Sequence, residues 1–377
     1  MRVIFSSAVL GTLALALLAD STPTVPVHHY YVSSGRSLRF TKPLQIHMPE
    51  HGSQNQARRD SDTDSQSFVS EEPWPSRIIR PGGTSIQAAS SSSDGQYLWD
   101  TYDSVLSKMR YIDLTHTITP DIPIWRGFGN ITFSQAVSKL TEQPFEYAKD
   151  KFVATAYKLT TDQMGTQLDA PAHFNPYYAA SDEMPATFAL RKLVVIDMSA
   201  QVLKNSSYAL SVADVLDWEK QHGRIPAMSV VFVRSDWSKA WPYVNTDVFP
   251  QVSLEAVQFL HLKRNILFHG HEPLDADMTP NFDAEAWALR NGYAQAEGVT
   301  NLHLVPPTGC LLSTGFPKFA GGVGNYVRYV AVCPSEWKHG VVPGATPEAP
   351  LPKFVNPLVW NEEKGRRVRA LSQKAIV

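Results

Sequence analysis

Residues 163–174 read Gln-Met-Gly-Thr-Gln-Leu-Asp-Ala-Pro-Ala-His-Phe, which packs four groups with ligand or proton-transfer capacity into twelve positions. Gln163, Gln167, Asp169 and His173 share parity, so an extended backbone would turn all four to one face. At ~3.3 Å per residue a straight run would hold Gln163 and His173 roughly 33 Å apart, so they can meet only if the segment curls. Gly165 and Pro171 are the residues that permit or impose such bends. Asp169 is a natural hard ligand and His173 a natural ligand or general base. The competing reading is a polar loop whose Asp169 caps a turn and whose His173 is a satisfied surface side chain.

Two further groups carry chemistry. Residues 268–277 place His269, His271, Glu272, Asp275 and Asp277 after a predicted strand, a common ligand position in α/β proteins. A solvated acidic loop is the alternative there. Glu297 stands in a run of small and apolar residues, Ala-Gln-Ala-Glu-Gly-Val (294–299). A carboxylate in a buried strand is costly unless paired or bound to a metal. A Ser or Cys nucleophile is disfavoured: the sequence has no Gly-x-Ser-x-Gly elbow, and Cys310 and Cys333 lie in predicted strands without a flanking base.

These residues need a scaffold. Continuous apolar runs at 192–199 and 229–235 suit buried strands, and 111–116, 265–270, 309–315 and 325–334 are further strand candidates. Helices are predicted over 211–223 and 253–264, each opened by a Ser N-cap, and over 283–292, closed by Gly292. Strands and helices alternate in the middle while β dominates both ends, so the expectation is one α/β domain with a mixed sheet over 98–345. Residues 346–377 form a C-terminal extension.

Composition narrows the function classes. The chain has 377 residues, 43% hydrophobic and 19% charged, with a net charge of −2. No basic stripe stands out, which argues against nucleic acid and anionic membrane as partners. Residues 1–20 have the short positive start and apolar run of a secretory signal peptide, with an uncleaved anchor as the alternative. Residues 21–97 are rich in Ser, Gln, Asp and Gly and read as a disordered pro-segment or linker; Arg58-Arg59 within it is a processing site or an ordinary basic pair. Sequons at Asn130 and Asn205 agree with a secreted glycoprotein. Two cysteines exclude a disulfide framework and leave either one bridge or two thiols.

The motif at 163–174 resembles the signature of the metal-dependent cyclase superfamily, which includes bacterial kynurenine formamidases and isatin hydrolase. That signature is His-x-Gly-Thr-His-x-Asp-x-Pro-x-His-Phe. Residues 111–127 are similar to the family's opening segment with its Pro-x-Trp element, and 296–310 to its Glu-containing strand and following loop. The resemblance runs from about residue 109 to 334. It implies a swivelling β/β/α domain, often oligomeric, that hydrolyses a small amide, formamide or lactam with a metal-activated water. It places Gln163, Gln167, Asp169, Glu285 and Glu297 at metal-ligand positions, His173 at the acid/base position and Trp125 against the substrate.

Gln163, Gln167 and Glu285 stand where the family has imidazoles. Gln at position 167 also occurs in a branch of the superfamily. An all-oxygen set moves metal preference from Zn²⁺ toward Mn²⁺, Mg²⁺ or Ca²⁺. The expectation is a secreted, arylformamidase-like hydrolase with a divalent metal, Mn or Zn with Mg as a further option. A catalytically inactive binding protein on the same fold is the alternative. Kynurenine formamidase proper sits poorly with an export signal, because that activity is intracellular.

Overall fold

The structure is a computed structural model and describes residues 98–344, 351 and 353–370. The signal peptide expected over 1–20 and the disordered segment expected over 21–97 lie outside the described residues. No described helix is long and apolar enough to cross a membrane.

Eight strands build one mixed sheet: β1 (Arg110–Asp113), β2 (Gln167–Asp169), β3 (Leu190–Asp197), β4 (Val230–Arg234), β5 (Phe268–His271), β6 (Ala294–Glu297), β7 (Cys310–Gly315) and β8 (Arg328–Cys333). Their order is β1-β8-β7-β3-β4-β5-β6-β2. Strands β3 to β6 run parallel; β1, β8 and β7 at one end and β2 at the other pair antiparallel. The fold is therefore the expected mixed α/β one.

The apolar runs become strands buried on both faces. Leu193, Val195, Val230 and Phe232 point into a core inside the sheet with Leu168, Phe268, Leu312 and Tyr329. Val194, Ile196, Val231 and Val233 point the other way, against the helices α1 (Val212–His222) and α2 (Leu254–Arg264). Period-2 alternation thus feeds two apolar cores, which is why these strands show no polar face. Ser211 and Ser253 cap the helices, their hydroxyls accepting from Asp214 N and Ala256 N, each at 3.2 Å. Gly223 ends α1 at φ +87°, and Asn265 ends α2 in the left-handed region. The left-handed Asn265 explains why the strand expected at 265–270 begins only at Phe268.

The strand expected over 325–334 is divided. Only Arg328–Cys333 pairs within β8. Residues 323–327 bond to the motif segment instead, Leu168 N donating to Asn325 O and Ala170 N to Val323 O, both at 3.0 Å. The edge strand β2 is thereby tied to the chain entering β8, and the sheet curls around its inner core.

Of the two options for the cysteines, the structure takes the bridge. Cys310 and Cys333 are disulfide-bonded across adjacent strands β7 and β8, with Cα atoms 4.2 Å apart. That spacing is the narrow pair of an antiparallel ladder. The bond closes a loop of sequence separation 23. A Cys310→Ala/Cys333→Ala variant is expected to lose about 3 kcal/mol of stability. The urea midpoint, with and without reductant on the parent, measures it; reductant should move the parent and leave the variant unchanged.

In the C-terminal extension a hairpin, Leu358–Asn361 with Arg366–Arg369, docks on the hairpin formed by Thr132–Gln135 and Thr155–Lys158. Arg367 donates to Ala154 O at 3.0 Å and to the Thr155 hydroxyl. Asn130 and Asn205, the two sequon asparagines, are exposed.

Candidate active site

Register decides the site. β2 pairs antiparallel with β6, setting Gln167 opposite Glu297 and Asp169 opposite Gln295. Leu168, Ala294 and Ala296 then face the inner core, and the four polar side chains share the other face. The helix α3 (Asp283–Arg290) brings Glu285 to that face. Carboxylate oxygens of Asp169, Glu285 and Glu297 lie within 4.8 Å of one another, and all three residues are buried.

The curl foreseen at Gly165 and Pro171 is present. Gly165 has φ +63°, and Pro171 opens a short 3-10 turn ending at His173. A Cβ on Gly298, at φ +59°, would sit 2.0 Å from Gly165 O, so this approach demands glycine at 298. Gln163 is thus returned to the cluster: its Nε2 donates to Asp169 Oδ1 at 3.2 Å. Gln167 Nε2 donates to Glu297 Oε2 at 2.8 Å and to Asp169 Oδ1 at 3.3 Å. The two glutamines present amide hydrogens to the carboxylates. Turning either amide over would present its oxygen instead.

A cavity of about 210 Å³ holds the whole constellation: Gln163, Gln167, Asp169, His173, Glu285, Glu297 and Trp125 all line it. Its remaining walls are mostly apolar, from Ile124, Phe128, Phe174, Leu274 and Phe282. The residues that the resemblance places at metal, acid/base and substrate positions therefore line one cavity.

Burial of like charges sets the electrostatics. Desolvation, then the neighbouring carboxylates, push Glu285 and Glu297 well above the usual carboxylate range. Desolvation raises Asp169 to about 8 against the lowering effect of the Gln167 and Gln163 hydrogen bonds. Glu285 Oε2 is buried without a hydrogen-bond partner. Three clustered carboxylates, all-oxygen donors and one orphaned oxygen fit a hard divalent cation. His173 is half-buried on the cavity wall, and desolvation lowers its pKa.

Sequence reasoning missed Gln295. It is fully buried, and its Nε2 donates to Glu297 Oε1 at 2.7 Å. Its signal was available: it lies two residues before Glu297 and so on the same strand face. Replacing Gln295 by Leu should leave Glu297 Oε1 without its donor and weaken divalent-metal affinity about tenfold. Titration calorimetry with Mn²⁺ reads this, and the Glu variant at 295 separates charge from hydrogen bonding.

The second sequence cluster is dispersed. His269 and His271 lie inside β5, not beyond its end, and are fully buried. His269 Nδ1 meets His261 Nε2 at 3.1 Å, and burial holds both imidazoles far below their ordinary pKa. Glu272 accepts from Ser238 N at 3.0 Å and from Ser235 Oγ at 3.2 Å. Asp277 accepts from Ala284 N at 2.8 Å, at the start of α3. Of that cluster only Asp275 reaches the carboxylate cavity, where desolvation and then Asp277 raise its pKa to about 6.

A curled mixed sheet with helices on its outer face, bearing a buried carboxylate cluster beside a histidine, defines a class of cyclase-like domain. Residues 112–278 match the family model described as "Putative cyclase". The chain is 26% identical over 249 residues to isatin hydrolase of Roseibium aggregatum, covering 60% of this chain and 93% of that one. Isatin hydrolase A from Labrenzia aggregata, bound to benzyl benzoate, superposes with a TM-score of 0.57 at 26% identity, covering 63% of this chain and 99% of that one. Isatin hydrolase A from Ralstonia solanacearum gives 0.56 at 26% identity, covering 64% and 100%. The family-model match and these relatives bear out the resemblance that the motif carries to the metal-dependent cyclase superfamily.

Proposed function

We propose that this protein is a metal-dependent hydrolase of a small amide, with an aryl formamide or an aromatic lactam as the substrate class. The observation that carries the reading is the meeting of Asp169, Glu285, Glu297 and His173 in one apolar-walled cavity. The relatives named for isatin hydrolysis support the substrate class, since isatin is a cyclic amide fused to an aromatic ring. Asp169, Glu285 and Glu297 would hold the ion, and their hard oxygens favour Mn²⁺ or Mg²⁺ over Zn²⁺. The bound cation would supply Lewis-acid polarisation of the scissile carbonyl and lower the pKa of water.

The chain's own groups do the rest. Gln163, Gln167 and Gln295 orient the carboxylates through the hydrogen bonds described above. His173, kept neutral at pH 7 by its lowered pKa, accepts a proton from the attacking water or returns one to the leaving nitrogen. Trp125 and Phe282 present aromatic faces to the substrate ring and help to exclude water. The Cys310–Cys333 bridge supports maturation in an oxidising compartment, as export would provide. A second reading, a binding protein without turnover, is favoured by Gln163 and Gln167 directing amide hydrogens rather than oxygens at the carboxylates.

The deciding experiment is elemental analysis of protein purified without chelator. A screen of formamides, lactams and cyclic imides, with Mn²⁺, Mg²⁺ or Zn²⁺ restored, accompanies it. Near-stoichiometric metal and turnover abolished by chelator support the hydrolase. No metal under any loading and no turnover of any amide would leave the binding-protein reading standing.

A further inference from the structure

A second cavity of about 200 Å³ adjoins the carboxylate cavity. Trp125, Leu274, Asp275 and Phe282 line both, so these four form a shared partition. Beyond it lie Trp237, Thr246, Phe249 and Met278. Aromatic and thioether surface thus makes up one part of its wall and the charged side chains of Arg126, Asp247 and Asp277 another, with Asp275 offering a carboxylate at the junction. Two backbone features accompany the partition. Trp125 lies so close over residue 127 that a Cβ there would fall 1.2 Å from its ring, so glycine at 127 leaves the indole room to take this position. Phe282 holds a left-handed backbone at φ +53°, which a bulky side chain adopts only when its surroundings impose it.

We propose that this adjoining cavity is a second substrate subsite, one that receives an aryl substituent of the same molecule whose amide lies at Asp169, Glu285 and Glu297. The inference rests on the hydrolase reading and narrows it to elongated substrates in which a second flat ring projects past Trp125 and Phe282. A ring held between Trp125 and Trp237 gains offset or edge contacts with indole faces. A hydrogen-bond donor at the linkage between the two rings would find the Asp275 carboxylate.

The test pairs each compact aromatic amide with its phenyl-extended analogue, using the full chain loaded with Mn²⁺. Trp237→Ala removes one wall. Thr246→Trp fills the space from an exposed position without removing packing, and neither residue lines the carboxylate cavity. The parent should favour the extended analogue in kcat/KM by about tenfold, and both variants should erase that preference through KM. The compact analogue should stay within about twofold throughout. Binding of the same pair, followed by calorimetry, is read in parallel. Extended ligands that bind tighter to the parent, with the advantage lost in Thr246→Trp, support the subsite even where no amide is hydrolysed, which isolates a failure of the hydrolase reading. Equal affinity of compact and extended analogues for the parent, or a preference that survives both variants, overturns the subsite.

Discussion

Replacing Asp169 by Asn should cut amide turnover by about 10³-fold or more and at the same time stabilise the metal-free protein. The loss follows from removing one of the three clustered carboxylates that would hold a divalent cation, which would supply several kcal/mol of transition-state stabilisation. The gain follows from electrostatics. Asp169, Glu285 and Glu297 are buried together with raised pKa values, so the folded state resists their ionisation. In the unfolded chain these groups release their protons near pH 4. The folded cluster retains protons up to about pH 8 at Asp169. Between those limits the folded state binds more protons than the unfolded state, so stability falls as pH rises. Metal-free parent protein should therefore melt at a lower temperature at pH 8 than at pH 5. Asp169→Asn should flatten that slope and raise the melting temperature at pH 8, while elemental analysis shows lost metal. A parent whose metal-free melting temperature rises across this range would show that the cluster does not dominate the pH dependence.

His173→Ala should lower kcat by about 10²–10⁴-fold with bound metal unchanged. The side chain lines the cavity beside the carboxylates but is not among the three that converge on one another. Its removal should spare ion affinity and strike proton transfer. Desolvation lowers the His173 pKa below 6.5, although Asp162 opposes this. The acid limb of the parent's pH–rate profile should therefore fall below pH 6.5, with activity rising as the imidazole loses its proton. In the alanine variant that limb should vanish, and added imidazole should restore part of the rate. Unchanged turnover, or metal lost together with activity, would remove the proton-transfer role from His173.

Much of the site was legible because its residue types are costly outside a purpose. Glu297 among small residues predicted a partnered buried carboxylate, and it accepts from both Gln167 and Gln295. Gly165 and Pro171 announced the curl that returns Gln163 to Asp169. His269 and His271 looked equally chemical in sequence, yet they are packed inside the fold. Strand position alone does not say which face of β5 a helix will cover. The cysteines were likewise undecided until β7 and β8 lay side by side.

The sequence by itself determined the alternation of elements, the helix caps, the bends of the motif and the set of groups able to do chemistry, because those depend on local backbone preference and side-chain type. Tertiary structure decided the rest. The β2–β6 register chose which residues share the polar face. α3 delivered Glu285 to that face from a distant segment. The crossing of 122–128 with 274–282 placed Trp125 and Phe282 between two cavities. Those relations are contacts between residues far apart in the chain, fixed by packing that no local pattern encodes.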